Sequence, residues 1–139
     1  MSFLTYFIVK DIAVSTAFYK AFFGQEPVGG QPERFAIFNA GLALYNSSYD
    51  DELIKSGADL SDHFNAAYLA NKEVSISYGN NVILNFTVKD LAAEYERVKS
   101  LNIGTVSEIM YVNIAMPYWF FWLNDPDGNC LEITGEYTP

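Results

Sequence analysis

The sequence predicts an α+β fold built from two copies of one unit, each a strand running into a helix and followed by antiparallel strands. Three observations carry this. Val9-Lys10-Asp11-Ile12-Ala13 returns as Val88-Lys89-Asp90-Leu91-Ala92, an offset of 79 residues. Each copy ends a dense apolar, β-branched run, Phe3 to Val9 and Val82 to Val88, where strand-like alternation gives way to helical spacing. Each copy is then followed by a hairpin signal.

In chain order, the first run is a strand and Asp11 caps the helix after it, its carboxylate accepting from N–H groups that the first turn cannot satisfy internally. Phe18 and Phe22 stand four apart on that helix, and Gly24 ends it. Phe35 to Phe38 and Leu42 to Tyr45 are short strands around the turn Asn39-Ala40-Gly41. The segment from Asn46 to Asn81 is less regular. It holds the acidic run Asp50-Asp51-Glu52, a short helix from about Ser61 to Ala70 and a strand from Val74 to Tyr78, and its length suits a mobile lid or, equally, an ordered connector with no ligand role. The second copy follows, with Asp90 as cap and Leu91, Tyr95 and Val98 as the buried helical stripe. Tyr118 to Leu123 and Cys130 to Thr134 are strands joined by Asp125-Pro126-Asp127-Gly128, in which proline presets one turn residue and glycine accepts positive φ.

Composition narrows the function. At 139 residues the chain is read as one domain, with module one about 1–46, the connector about 47–81 and module two about 82–139. Seventeen acidic residues against eight basic ones give a net charge of -9, which repels phosphate backbones and argues against nucleic-acid binding. No apolar run approaches membrane-spanning length and no charged-then-apolar leader is read, so a cytoplasmic location without a membrane partner is expected. The single Cys130 excludes an internal disulfide and fits a reducing compartment.

The duplication, its Val-Lys-Asp junctions and the run Phe121-Trp122-Leu123-Asn124-Asp125-Pro126-Asp127-Gly128-Asn129-Cys130-Leu131-Glu132-Ile133 together resemble the vicinal-oxygen-chelate superfamily. That group includes glyoxalase I, extradiol dioxygenases, and fosfomycin- and bleomycin-resistance proteins. The resemblance implies two βαβββ modules forming a curved mixed sheet around a cleft, helices outside and ligand within, commonly as a homodimer. It also implies metal ligands, His or Glu, on the first and last strands of the modules. In this chain those first-strand positions fall on Leu4 and Ile83, neither of which binds metal. The strand Gly41 to Tyr45 offers no carboxylate or imidazole, and Glu132 stands alone. One carboxylate cannot hold an ion that needs three or four protein ligands, so neither metal nor cofactor is expected.

With Leu4 and Ile83 facing the cleft, as the resemblance implies, alternation sets Tyr6, Ile8, Asn85 and Thr87 beside them and Phe7, Leu84, Phe86 and Val88 under the helices. Tyr6, Asn85, Thr87, Trp119, Phe121, Trp122 and Glu132 form the expected ligand-binding set, with Glu132 the catalytic base if the protein is an enzyme. His63 reaches the cleft only if the connector folds inward. Cys130 lacks the electropositive surroundings of a nucleophile. The expected function is metal-free binding of a small aromatic or cationic compound by cation–π contact and the negative field, sequestering it as bleomycin-resistance proteins do for antibiotic resistance. The alternatives are a glyoxalase I-like lyase or dioxygenase using a divalent metal, and a dimerisation module with a vestigial cleft.

Overall fold

The repeat in the sequence is a repeat in topology. A computed structural model describes residues 4–72, 76–78 and 82–139. Among them are two separate sheets, four helices and no closed barrel. Contacts divide the chain into two compact units, Met1–Thr16 with Glu26–Ser77 and Ala17–Gln25 with Tyr78–Pro139.

In the first unit, β1 (Thr5–Ile8) leads into helix α1 (Ile12–Phe23), and strands β2 (Gly29–Gln31), β3 (Phe35–Phe38) and β4 (Leu42–Tyr45) complete a sheet ordered β1-β4-β3-β2. In the second, β5 (Ile83–Asp90) leads into α4 (Leu91–Leu101). The strands β6 (Thr105–Val106), β7 (Met110–Asn113), β8 (Pro117–Asn124) and β9 (Cys130–Glu136) follow in the order β5-β9-β8-β6, with β7 also paired to β8. In both sheets the opening strand runs parallel to the last one, which is itself antiparallel to its predecessor. Tyr6 pairs in register with Ala43 as Asn85 does with Glu132.

The cap residues act as the sequence predicts. Asp11 Oδ1 accepts from the N–H groups of Ala13 and Val14 at 2.9 and 3.0 Å, and Asp90 Oδ1 accepts from Ala93 N–H at 2.9 Å. Gly24 and Gly41 take positive φ, as an ending helix and a tight hairpin demand. The turn between β8 and β9 is built on Asp125. Its Oδ1 accepts from the backbone N–H groups of Asp127 and Asn129 at 2.9 and 2.8 Å. Its Oδ2 accepts from Asn129 Nδ2 and from the buried Tyr19 hydroxyl, each at 2.8 Å. Gly128 takes the positive φ beyond it.

Most of the core of the second unit lies on one face of its sheet. Leu91, Tyr95 and Val98 of α4 are buried, with Tyr95 edge-on to Phe121 at 5.2 Å, and Phe22 and Phe23 of α1 set their rings 5.4 and 5.8 Å from Phe86. The Phe-rich end of α1 thus belongs to the unit of the second sheet. Fully burying three such rings, Phe22, Tyr95 and Phe121, is worth about 5–9 kcal/mol before the opposing loss of conformational entropy.

The connector departs from the sequence reading. Helix α2 (Ser47–Lys55) occupies the acidic run expected to be irregular, and α3 (Ala66–Asn71) is shorter than expected. A buried Asp50 hides the amphipathic pattern of α2, because an aspartate reads as solvated until its partner is known. The start of α3 is fixed by Asn65, whose side chain accepts from Tyr68 N–H at 2.8 Å. Of the strand expected over Val74 to Tyr78, positions 74 and 75 lie outside the described residues, and positions 76–78 form no strand. Among the described residues no helix is long and apolar enough to cross a membrane.

Candidate functional site

The second sheet turns one face to the helices and leaves the other open, and parity decides which side chain goes where. Ile83 and Asn85 of β5, Glu132 and Thr134 of β9, and Trp122 of β8 share the open face, since Asn85 and Trp122 are both in register with Glu132. Glu132 is 9% exposed beneath an indole that is 39% exposed. Both of its oxygens are engaged: Oε1 accepts from Asn85 Nδ2 at 2.9 Å and Oε2 from Trp122 Nε1 at 3.1 Å. No basic side chain pairs with it among the described residues. Burying a carboxylate on neutral donors alone is costly, and the arrangement leaves its charge uncompensated beside an accessible ring.

A polar row continues from this carboxylate along the sheet. Thr134 Oγ1 lies 3.5 Å from Asn85 Oδ1 and 3.3 Å from Thr87 Oγ1. The row ends at an open groove of about 800 Å³ lined by Thr87, Tyr118, Trp119, Thr134, Glu136 and Tyr137 among others. That volume suits a small organic molecule.

Within the second unit, strand parity sorts the expected ligand residues. Asn85, Thr87, Trp122 and Glu132 meet on one face as expected. Phe121 does not: it is fully buried on the helix side against Tyr95, because β8 alternates and Phe121 has the opposite parity to Trp122. It is a core residue. Trp119 shares the parity of Phe121 but sits near the free end of β8, its ring 5.0 Å from both Tyr111 and Tyr137, and reaches the groove there. Tyr6 belongs to the first unit, where its ring stands edge-on to Tyr45 at 6.5 Å.

The surroundings of Tyr6 form a second cluster that sequence reading misses. A cavity of about 310 Å³ is lined by Tyr6, Arg34, Phe35, Tyr45, Asp50 and Tyr68. Asp50 on α2 is 2% exposed; Arg34 Nη2 meets its Oδ1 at 2.7 Å, and the Tyr45 hydroxyl donates to its Oδ2. Burial first, and the bonds to Asp50 and Tyr68 after it, push the Tyr45 phenol well above its ordinary value. The guanidinium of Arg34 also lies 5.4 Å from the Tyr49 ring and 5.8 Å from that of Phe64. The only available signal was an arginine just before β3 and an acid on the helical stripe of Leu53 and Ile54, too weak to pair them in advance.

Cys130 is buried, and burial first, then the Glu132 charge, raises its thiol, which keeps it protonated and a poor nucleophile. His63 is exposed in a turn that its backbone N–H closes to the Leu60 carbonyl at 2.8 Å, inside the connector. Among the described residues no group of three or more His, Cys, Asp or Glu side chains is placed to hold a metal ion. In the first unit, the positions at which the superfamily resemblance implies metal ligands carry Leu4 and a strand, Gly41 to Tyr45, without carboxylate or imidazole; in the second they carry Ile83 and Glu132, whose oxygens are both taken by N–H donors. Neither donor set suits a divalent ion.

No protein-family model matches the chain, and no curated protein matches it either. Solved structures do match in fold. A glyoxalase-related enzyme from Fulvimarina pelagi is 18% identical with a TM-score of 0.65, over 98% of this chain and 88% of the other. A lactoylglutathione lyase from Agrobacterium tumefaciens is 20% identical with a TM-score of 0.63, over 97% and 92%. A glyoxalase/bleomycin resistance protein/dioxygenase family enzyme from Burkholderia phytofirmans PsJN is 16% identical with a TM-score of 0.60, over 95% of each. The chain has the fold of these proteins along nearly its whole length.

Proposed function

We propose that this protein is a metal-independent member of the glyoxalase/bleomycin resistance group that binds and sequesters an aromatic or cationic small molecule on the open face of its second sheet, in the cytoplasm and as a homodimer. The observation that carries the reading is Glu132: a buried carboxylate held only by two neutral N–H donors, beside a half-exposed indole, in a chain of net charge -9. A cationic aromatic compound meets each need, through charge and stacking. As a catalytic base Glu132 is poorly presented, since each oxygen already accepts a hydrogen bond and a base must face the proton it takes.

The test is a thermal-shift and fluorescence screen of the purified protein against planar aromatic cations, beginning with N-methylquinolinium. Binding raises the melting temperature by mass action and quenches tryptophan emission. Glu132→Gln and Trp122→Ala are each expected to weaken binding about tenfold or more, the loss of roughly one good contact. Tightly bound Zn, Ni, Mn or Fe at one ion per chain, or isomerisation of a hemithioacetal by the purified protein, would overturn the proposal in favour of a lyase or dioxygenase. Failure of every compound would leave the module to dimerisation alone.

A further inference from the structure

We infer that Glu132 sets the hydrogen-bond polarity of the groove at the far end of the second sheet, so that the groove reads a ligand's donor group at Thr87 Oγ1. This rests on the small-molecule-binding reading above and adds to it where the polar head is read and by what. Three side chains link Glu132 to the groove, and the orientation of each follows from the one before.

A carboxylate only accepts, so Glu132 forces Asn85 to turn its amide N–H toward Oε1, at 2.9 Å. The carbonyl oxygen of Asn85 then faces Thr134, whose hydroxyl has two acceptors to choose from, Asn85 Oδ1 at 3.5 Å and Phe86 O at 3.4 Å. The choice of Asn85 Oδ1 is the one that Glu132 controls, and the inference takes it: it uses the single Thr134 proton. In the 3.3 Å contact between the two threonine hydroxyls, Thr87 must then be the donor. Its own proton is committed, and what it offers the groove is lone pairs.

Thr87 and Thr134 both line the groove, with the Tyr118, Trp119 and Tyr137 rings beside them. The nearby charges, Lys89 and Glu136, are one of each sign and do not by themselves choose a ligand charge. The selecting element is therefore the acceptor at Thr87, which suits a hydroxyl, amine or amide N–H carried on an aromatic body. Glu132 acts here as a positioning residue, through Asn85 and Thr134.

The experiment is isothermal titration with tryptophol and its methyl ether, two neutral indoles that differ in whether the side-chain oxygen can donate. Wild type is expected to prefer tryptophol by at least tenfold. Thr87→Val should remove that preference while leaving the affinity for the ether within about twofold. Glu132→Gln is the decisive variant: the carboxamide it introduces can accept from Trp122 and donate to Asn85, which turns the Asn85 N–H toward Thr134, takes away that side-chain acceptor and sends the Thr134 proton to Thr87, whose own hydroxyl is then free to donate. The preference should fall below threefold or invert, whereas a merely structural role for Glu132 would weaken both probes alike. Equal or absent binding of the two probes by wild type, or a preference unchanged in Glu132→Gln, overturns this inference. The binding proposal fails separately, on a stoichiometric metal ion, on isomerisation of a hemithioacetal, or if no compound in the wider screen binds.

Discussion

Removing the Asp50 side chain should cost the first unit more than any other single acidic truncation. Asp50 is 2% exposed, pairs with Arg34 at 2.7 Å and accepts the Tyr45 phenol, so Asp50→Ala leaves an arginine side chain that is 22% exposed without its counter-ion and a phenol with only the Tyr68 hydroxyl, 3.4 Å away, as partner. Breaking a buried pair from one side costs about 3–5 kcal/mol. The partial exposure of Arg34 lets water recover part of this, which points to about 3 kcal/mol. With an unfolding entropy of about 2.1 cal/mol/K per residue, a chain of 139 residues loses about 3 °C of melting temperature per kcal/mol, hence about 10 °C. Urea denaturation of Asp50→Ala, Arg34→Met and the double variant forms the assay. Arg34→Met/Asp50→Ala should be less destabilised than the sum of the singles by more than about 1 kcal/mol, because the second removal eliminates the charge that the first one strands. A loss below about 1 kcal/mol for Asp50→Ala, or strict additivity in the cycle, would refute the claim that this pair pins the connector to the first sheet.

Phe121→Ala and Trp122→Ala should separate the two faces of β8: the first is expected to cost about 3–5 kcal/mol by denaturation and to leave any ligand affinity per folded molecule unchanged, the second to cost less than about 2 kcal/mol and to weaken ligand binding about tenfold. Stability should decline at high pH. Burial and then Asp125 hold the Tyr19 phenol above the 10.0 of an unperturbed tyrosine, and Tyr45 is raised likewise, so their contributions are complete below pH 10 and fade as pH climbs toward the folded-state values. Tyr19→Phe should flatten part of that decline in urea titrations at pH 8 and 10.5, and an unchanged slope would count against it. Gly30→Ala should be destabilising by more than about 1 kcal/mol, since φ is +121° and a Cβ would stand 2.0 Å from the Phe35 carbonyl oxygen.

What the sequence alone determined is the local and periodic part of the protein. The doubled Val-Lys-Asp junction, the aspartate caps, Gly41 and the Asp125-to-Gly128 turn are decided by chemistry within a few residues, and they sit where the spacing predicts. Strand parity likewise places Asn85, Thr87 and Glu132 on one side without further information. Only tertiary structure decided what depends on partners distant in the chain: that Phe121 is core while Trp122 is open, that Trp119 serves the end of the sheet, that the Phe-rich end of α1 packs with the second sheet, and that Asp50 turns inward to meet Arg34. The physical reason is that a charge or a ring has no fixed cost of burial until its neighbours are known. Asp50 in an acidic run and Glu132 on an apolar strand look equally exceptional in one dimension. Arg34 compensates the first, and two neutral N–H groups leave the second unbalanced.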